Sequence, residues 1–257
     1  MNRMAIKSVA MAAAIATLMS LAACGKDDSA NTTTLAPIPA PTNAAPAADQ
    51  NPVAAQTGVR GDEPLKEGKS YKIVSEPFYK AREDGKIVVK EYFWYGCPHC
   101  YRALPKMESW MSNNDGKVAF EYTPAPASPA WEIPARLNYA LEMQHLSESD
   151  RKAVFEAIHK DGVPPNDKDR LIAWAASHGW NEEQLKTDWD SFAVQTKIDK
   201  AKKEINGLNL EGVPVIVING KYQVGIENAL AESLTEADLA TAAQKVVKGV
   251  EDGQLPK

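Results

Sequence analysis

Cysteine is scarce: three residues in 257, at positions 24, 97 and 100. That excludes a small fold stapled by disulfides. Basic residues are not in excess. The formal net charge of −5 leaves no strongly basic surface for nucleic acid. The apolar run Val9–Ala23 is too short and too rich in alanine for a transmembrane helix, and a multi-span membrane protein is excluded. There is no internal repeat and no metal, flavin or nucleotide motif. What is present is ordinary: 44% hydrophobic and 25% charged residues, the mix of a globular chain rather than a collagen or a wholly disordered one. The length allows one large domain or two small ones.

The first residues read as an address. Arg3 and Lys7 give a positive start, and no acid occurs before Asp27. The apolar run that follows is broken only by Thr17 and Ser20, which predicts a secretory signal over residues 1–23. It ends in Leu21-Ala22-Ala23-Cys24, which resembles the lipobox of bacterial lipoproteins. That resemblance implies cleavage before Cys24 and lipid on its sulfur and new amino group. The alternative is an ordinary signal with Cys24 a stray thiol. Each buried CH₂ of an acyl chain contributes about 0.8 kcal/mol, so several chains hold a protein firmly at a bilayer. Residues 24–64 then form a tether. Its stretch 25–59 holds nine Ala, five Pro, five Thr and no aromatic residue, too little apolar area to offset the entropy of ordering. Its prolines keep it extended.

The folded part is expected from about residue 65. Tyr71–Val74 alternates like a strand and is stopped by Pro77. Ile87–Trp94 is dense in β-branched and aromatic residues and predicts a central strand, closed by Gly96. Leu104, Met107 and Met111 recur at helical spacing, predicting a helix over Pro98–Met111 that Pro105 kinks. Asn113–Gly116 reads as a turn. Val118, Phe120 and Tyr122 alternate as a third strand. A helical stretch over 131–206 follows, with a capping box at Ser147 and Asp150 and a cap at Asn181. Val215–Ile218, Asn219-Gly220 and Lys221–Gly225 form a hairpin signal, because Asn-Gly accepts the positive φ of a type I′ turn. Thr235 opens a last helix. The tryptophans at 131, 174, 180 and 189 have helical spacing and read as core.

Chemistry concentrates at Cys97-Pro98-His99-Cys100. A structural zinc site needs four ligands, and no second Cys-x-x-Cys exists. As a staple, a four-residue loop gains only about 2 kcal/mol before strain. A redox dithiol fits the context of a strand, a glycine, then a cysteine opening a helix. Helix N-termini carry partial positive charge and free N–H groups, so the Cys97 thiolate is stabilised there and its pKa depressed. His99 adds a polar neighbour. Cys100 lies one turn on and is the more buried. Cys97 is then the attacked and leaving sulfur, and Cys100 the resolving one. A thiolate that leaves easily makes its disulfide easy to reduce, hence oxidising.

Cys-Pro-His-Cys after an aromatic strand, followed by Gly212-Val213-Pro214 and Ile218-Asn219-Gly220-Lys221-Tyr222, resembles the DsbA family of periplasmic thiol:disulfide oxidases over roughly residues 66–250. A depressed cysteine pKa is an established trait of DsbA itself. The resemblance implies an α/β fold: a thioredoxin-like domain, residues 65–130 and 207–257, interrupted by a helical insertion at 131–206. It implies that Pro98 and His99 tune the potential, and that Pro214 is a cis-proline facing the disulfide with Val213 before it. In functional terms, Val213 offers backbone hydrogen bonds to a substrate strand; otherwise Pro214 merely starts an edge strand. Glu91 interrupts an apolar strand six residues before Cys97. By resemblance it passes protons to or from the resolving cysteine; alternatively it faces solvent near a sheet edge. The lipobox and tether depart from the best-known soluble members of the family.

These readings predict a lipid-anchored, monomeric oxidase on the periplasmic side of the bacterial envelope. Its redox group is the Cys97–Cys100 disulfide, with no metal or other cofactor. Its partners are reduced exported proteins and, by resemblance, a membrane quinone oxidoreductase of the DsbB type. An envelope reductase, an isomerase or a non-enzymatic tethered chaperone are the rival readings.

Overall fold

The structure is a computed structural model that describes residues 64–114, 116–225 and 236–257. The signal, Cys24, the tether up to residue 63 and Thr235 lie outside them. In chain order the elements are β1 (Lys72–Ile73), β2 (Ile87–Phe93), α1 (Pro98–Asn114), β3 (Val118–Pro124), α2 (Pro129–Met143), α3 (Glu148–His159), α4 (Lys168–Ser177), α5 (Glu182–Trp189), α6 (Phe192–Gly207), β4 (Val215–Ile218), β5 (Tyr222–Gly225) and α7 (Glu236–Glu251).

The strands form one sheet in the order β1-β5-β4-β2-β3. β2 runs parallel to β3 and antiparallel to β4. All seven β2 residues are buried, as its Val, Ile and aromatic content requires of an inner strand. The period-two alternation of side chains divides the core between the two faces. Ile87, Val89, Ile216 and Ile218 pack with Met107 and Trp110 of α1 and with Leu239, Ala243 and Val246 of α7. Tyr92, Val215 and Val217 join the helices of the insertion, whose Leu137, Leu171, Leu185 and Ile198 are fully buried. A side chain of that size contributes about 1.5–3 kcal/mol on burial.

Several boundaries differ from the sequence reading. Asn113 and Asn114 do not turn the chain. Their side chains donate to the Ser109 and Trp110 carbonyls and close the last turn of α1, which continues beyond Pro105. β1 is only two residues long, both exposed, because it is an edge strand paired on one side to β5. The insertion starts at Pro129, where Ser128 caps α2 and a first-turn proline needs no N–H partner. Of the four tryptophans only Trp189 is fully enclosed; Trp131, Trp174 and Trp180 lie half-buried against the core. Other local signals held. Ser147 and Asp150 form the capping box of α3, and Asn181 caps α5. Asn219 and Gly220 both take positive φ, 49° and 62°, as a type I′ hairpin turn needs. Asn219 also ties that turn to β2, its Oδ1 accepting from the Val88 N–H at 2.9 Å. Among the described residues no helix is long and apolar enough to cross a membrane.

Candidate active site

β2 ends at Phe93 and the chain turns through Trp94–Gly96 into α1. Gly96 is needed there: a Cβ would lie 2.4 Å from the Trp94 ring. The Cys97 N–H donates to the Trp94 carbonyl at 2.9 Å, and the Cys97 carbonyl accepts the first helical bond, from Tyr101 N–H, at 3.1 Å. Cys97 thus occupies the cap position, where Ser or Asp would satisfy the free N–H groups of the first turn. Its sulfur takes that part. Hydrogen bonds from the Cys100 thiol and from the N–H groups of Cys100 and His99, with the His99 charge, outweigh burial and lower the Cys97 thiol to about 6.

The partner sulfur has the opposite setting. Cys100 is fully buried, and burial together with the Cys97 sulfur pushes its thiol well up. Both are free thiols in the structure. Pro98 and His99 are exposed beside them, with His99 Nδ1 3.0 Å from Arg102 Nη2. Across the site, the loop before β4 brings Val213 and Pro214 into place, and the peptide bond between them is cis. The Cys97 thiol donates to the Val213 carbonyl at 3.4 Å. The structure therefore places Cys97, Pro98, His99, Cys100, Val213 and Pro214 at one spot, although 116 positions separate Cys97 from Val213.

Glu91 does not face solvent at a sheet edge. β2 has a neighbour on each side, and Glu91 is only 3% exposed. Burial pushes its carboxyl up to about 8; Arg151 opposes the rise, and Glu148 and Cys97 add to it.

The sequence reading missed the groups that frame this site. His159 Nε2 lies 2.8 Å from the Tyr95 carbonyl, and its ring stacks on Tyr101 at 4.7 Å. Trp131 stacks on Trp94 at 4.5 Å, with the rings 4° from parallel. Lys90, adjacent to Glu91, pairs with Glu76 on the other face of β2, and Glu204 lies 3.7 Å from its Nζ. The charged pair Lys90-Glu91 inside an apolar strand was the one visible signal. His159 and Arg151 lie more than fifty positions from Cys97 and carry no local pattern.

Residues 126–237 match the DSBA-like thioredoxin domain family, a stretch that begins after Cys100 and includes Val213 and Pro214. Thiol:disulfide interchange protein DsbA of Pseudomonas aeruginosa is 34% identical over 183 residues, covering 68% of this chain and 86% of that protein. DsbA of Azotobacter vinelandii is 36% identical over 147 residues, or 57% of this chain and 69% of the other. The crystal structure of P. aeruginosa DsbA superposes with a TM-score of 0.65 at 30% identity, over 74% of this chain and 96% of that one. The oxidoreductase DsbA from Xylella fastidiosa gives 0.66 at 25% identity, over 74% of this chain and all of that one. Fold and dithiol define a thiol:disulfide oxidoreductase on a thioredoxin-type sheet. Within that class the chain belongs to the DsbA family.

Proposed function

We propose that this oxidoreductase donates its Cys97–Cys100 disulfide to exported proteins that still hold free thiols. The supporting observation is the unequal setting of the two sulfurs: one caps a helix and ionises readily, the other is sealed in the core. A substrate thiolate attacks Cys97 Sγ. The Cys97–Cys100 bond breaks, a mixed disulfide forms, and Cys100 leaves as a thiolate that takes a proton from Glu91. A second substrate thiolate attacks the substrate sulfur of the mixed disulfide and expels the Cys97 thiolate. The substrate has then lost two electrons and gained a disulfide; the Cys97–Cys100 pair has gained them.

Pro98 and His99 tune the potential from the exposed rim, and Val213 with Pro214 lies where an extended substrate segment would pair with backbone. The redox group is the dithiol itself, with no metal or other cofactor. Reoxidation falls to a membrane quinone oxidoreductase of the DsbB type. The address at residues 1–23 and the lipobox cysteine Cys24 support a lipid-anchored location on the periplasmic side of the bacterial envelope, held through the tether, and the protein acts there as a monomer.

Equilibration with a glutathione redox buffer tests the direction. The account expects a potential above that of the glutathione pair, within the range from about −200 to −120 mV. A value below about −260 mV marks a reductase and contradicts it.

A further inference from the structure

A carboxyl sealed beside a dithiol needs something to set its charge and a way to exchange its proton. Among the described residues, five titratable or charged groups act on Glu91 or on the dithiol beside it. Cys97 comes from the cap of α1 and Cys100 from its first turn, Tyr122 from β3, and Arg151 and Glu148 from α3. β4 offers only apolar Ile216 in register with it. On the other side Tyr122 is its register partner. The Arg151 guanidinium carbon lies 4.1 Å from the centre of the Tyr122 ring. Arg151 is only 7% exposed, and its Nη1 donates to Glu148 Oε1 at 2.9 Å. Its Nε is buried without a hydrogen-bond partner among the described residues. Glu148 is 57% exposed at its side chain. Tyr122, Arg151 and Glu148 together line one part of a cleft of about 460 Å³ beside the β3 edge. A buried guanidinium is costly unless anions and a ring face compensate it, so its place here calls for a reason.

We propose that Arg151, held by Glu148 over the Tyr122 ring, is the positioning residue that sets the charge state of Glu91 from the cleft side. The inference rests on the reading of Glu91 as the group that protonates Cys100. When the Cys97–Cys100 bond breaks, the proton on the Glu91 carboxyl goes to the Cys100 thiolate, leaving a carboxylate. Arg151, which lines the cleft, stabilises that carboxylate until a proton from solvent restores the acid. Glu148 restrains the effect: it holds the guanidinium in place and its own charge opposes the Glu91 carboxylate. The two α3 residues therefore pull Glu91 in opposite directions.

The test follows reduction of the Cys97–Cys100 disulfide by a small dithiol across pH in the full chain. Rates are corrected for the ionised fraction of the attacking thiol. The corrected rate falls as Glu91 loses its proton, in the oxidised protein where no Cys97 thiolate is present. Arg151→Met moves that limb to higher pH and Glu148→Gln moves it to lower pH, each by about half to one unit. Arg151→Lys returns most of the shift. Limbs that stay in place in both variants overturn the inference, whatever happens to the melting temperature. If Arg151→Met does not fold, Glu148→Gln at the exposed end decides alone: a limb that stays in place there overturns the inference. Glu91→Gln is the control. Loss of the limb there with no shift in the α3 variants defeats only this inference. A limb that survives in Glu91→Gln defeats the reading of Glu91 and this inference with it.

Discussion

Cys97 and Glu91 carry opposite charge preferences, both imposed by position. The sulfur sits where a helix presents unpaired N–H groups, and its anion is favoured. The carboxyl sits on an inner strand, and its anion is disfavoured. A raised carboxyl pKa has a defined consequence for stability. The contribution of Glu91 is intact below its unfolded value near 4.5 and is lost as pH rises through about 8. Glu91→Gln therefore stabilises the fold by about 1–3 kcal/mol at pH 7–8 and leaves it nearly unchanged at pH 4, as chemical denaturation at the two pH values measures. His99 acts on the other member of the pair. His99→Pro removes its charge and any polar contact with Cys97, so the glutathione equilibrium shifts toward a less oxidising pair; an unchanged potential removes His99 from the tuning account.

Among the elements, the junction of β2 with α1 is the one on which the site depends. Trp94 fills the space above Gly96 and stacks on Trp131 of α2, which joins the end of the central strand to the helical insertion. Gly96→Ala forces that ring away from its partner and costs about 1–3 kcal/mol in a urea melt; stability equal to wild type would show that the stack is dispensable. The strand itself was legible from IVVKEYF, since β-branched and aromatic density has few other uses. The hairpin was legible because Asn-Gly is a local instruction, and the α3 start because Ser147 and Asp150 satisfy each other. The Cys-x-x-Cys set its own place at a helix start. Val213 and Pro214 were placed at the dithiol only through the family resemblance, and the other long-range partners were not legible. Arg151 reaches Tyr122 across 29 positions, and no spacing rule links an arginine on one helix to a buried carboxyl on a strand. Asn113 and Asn114 misled because an asparagine that turns a chain in isolation can also bond back to the helix it ends.

For the whole molecule, the sheet holds two buried charge systems on opposite faces of β2. On one, Lys90 meets Glu76 and Glu204 and ties the segment before β2 to α6. On the other, Glu91 lies near Arg151 and the dithiol. The second system couples stability to redox state. In the reduced protein the Cys97 thiolate adds stability that is complete above its unfolded value near 9 and disappears as pH falls through about 6. The oxidised protein has no such thiolate and gains only the small constraint of a four-residue loop, about 2 kcal/mol. Thermal melts of the reduced and oxidised full chain across pH compare the two terms in one experiment. The account predicts that the reduced form melts higher at about pH 8 and that its advantage shrinks steadily as pH falls toward 6. A reduced form that melts lower at pH 8, or a difference indifferent to pH, contradicts the account.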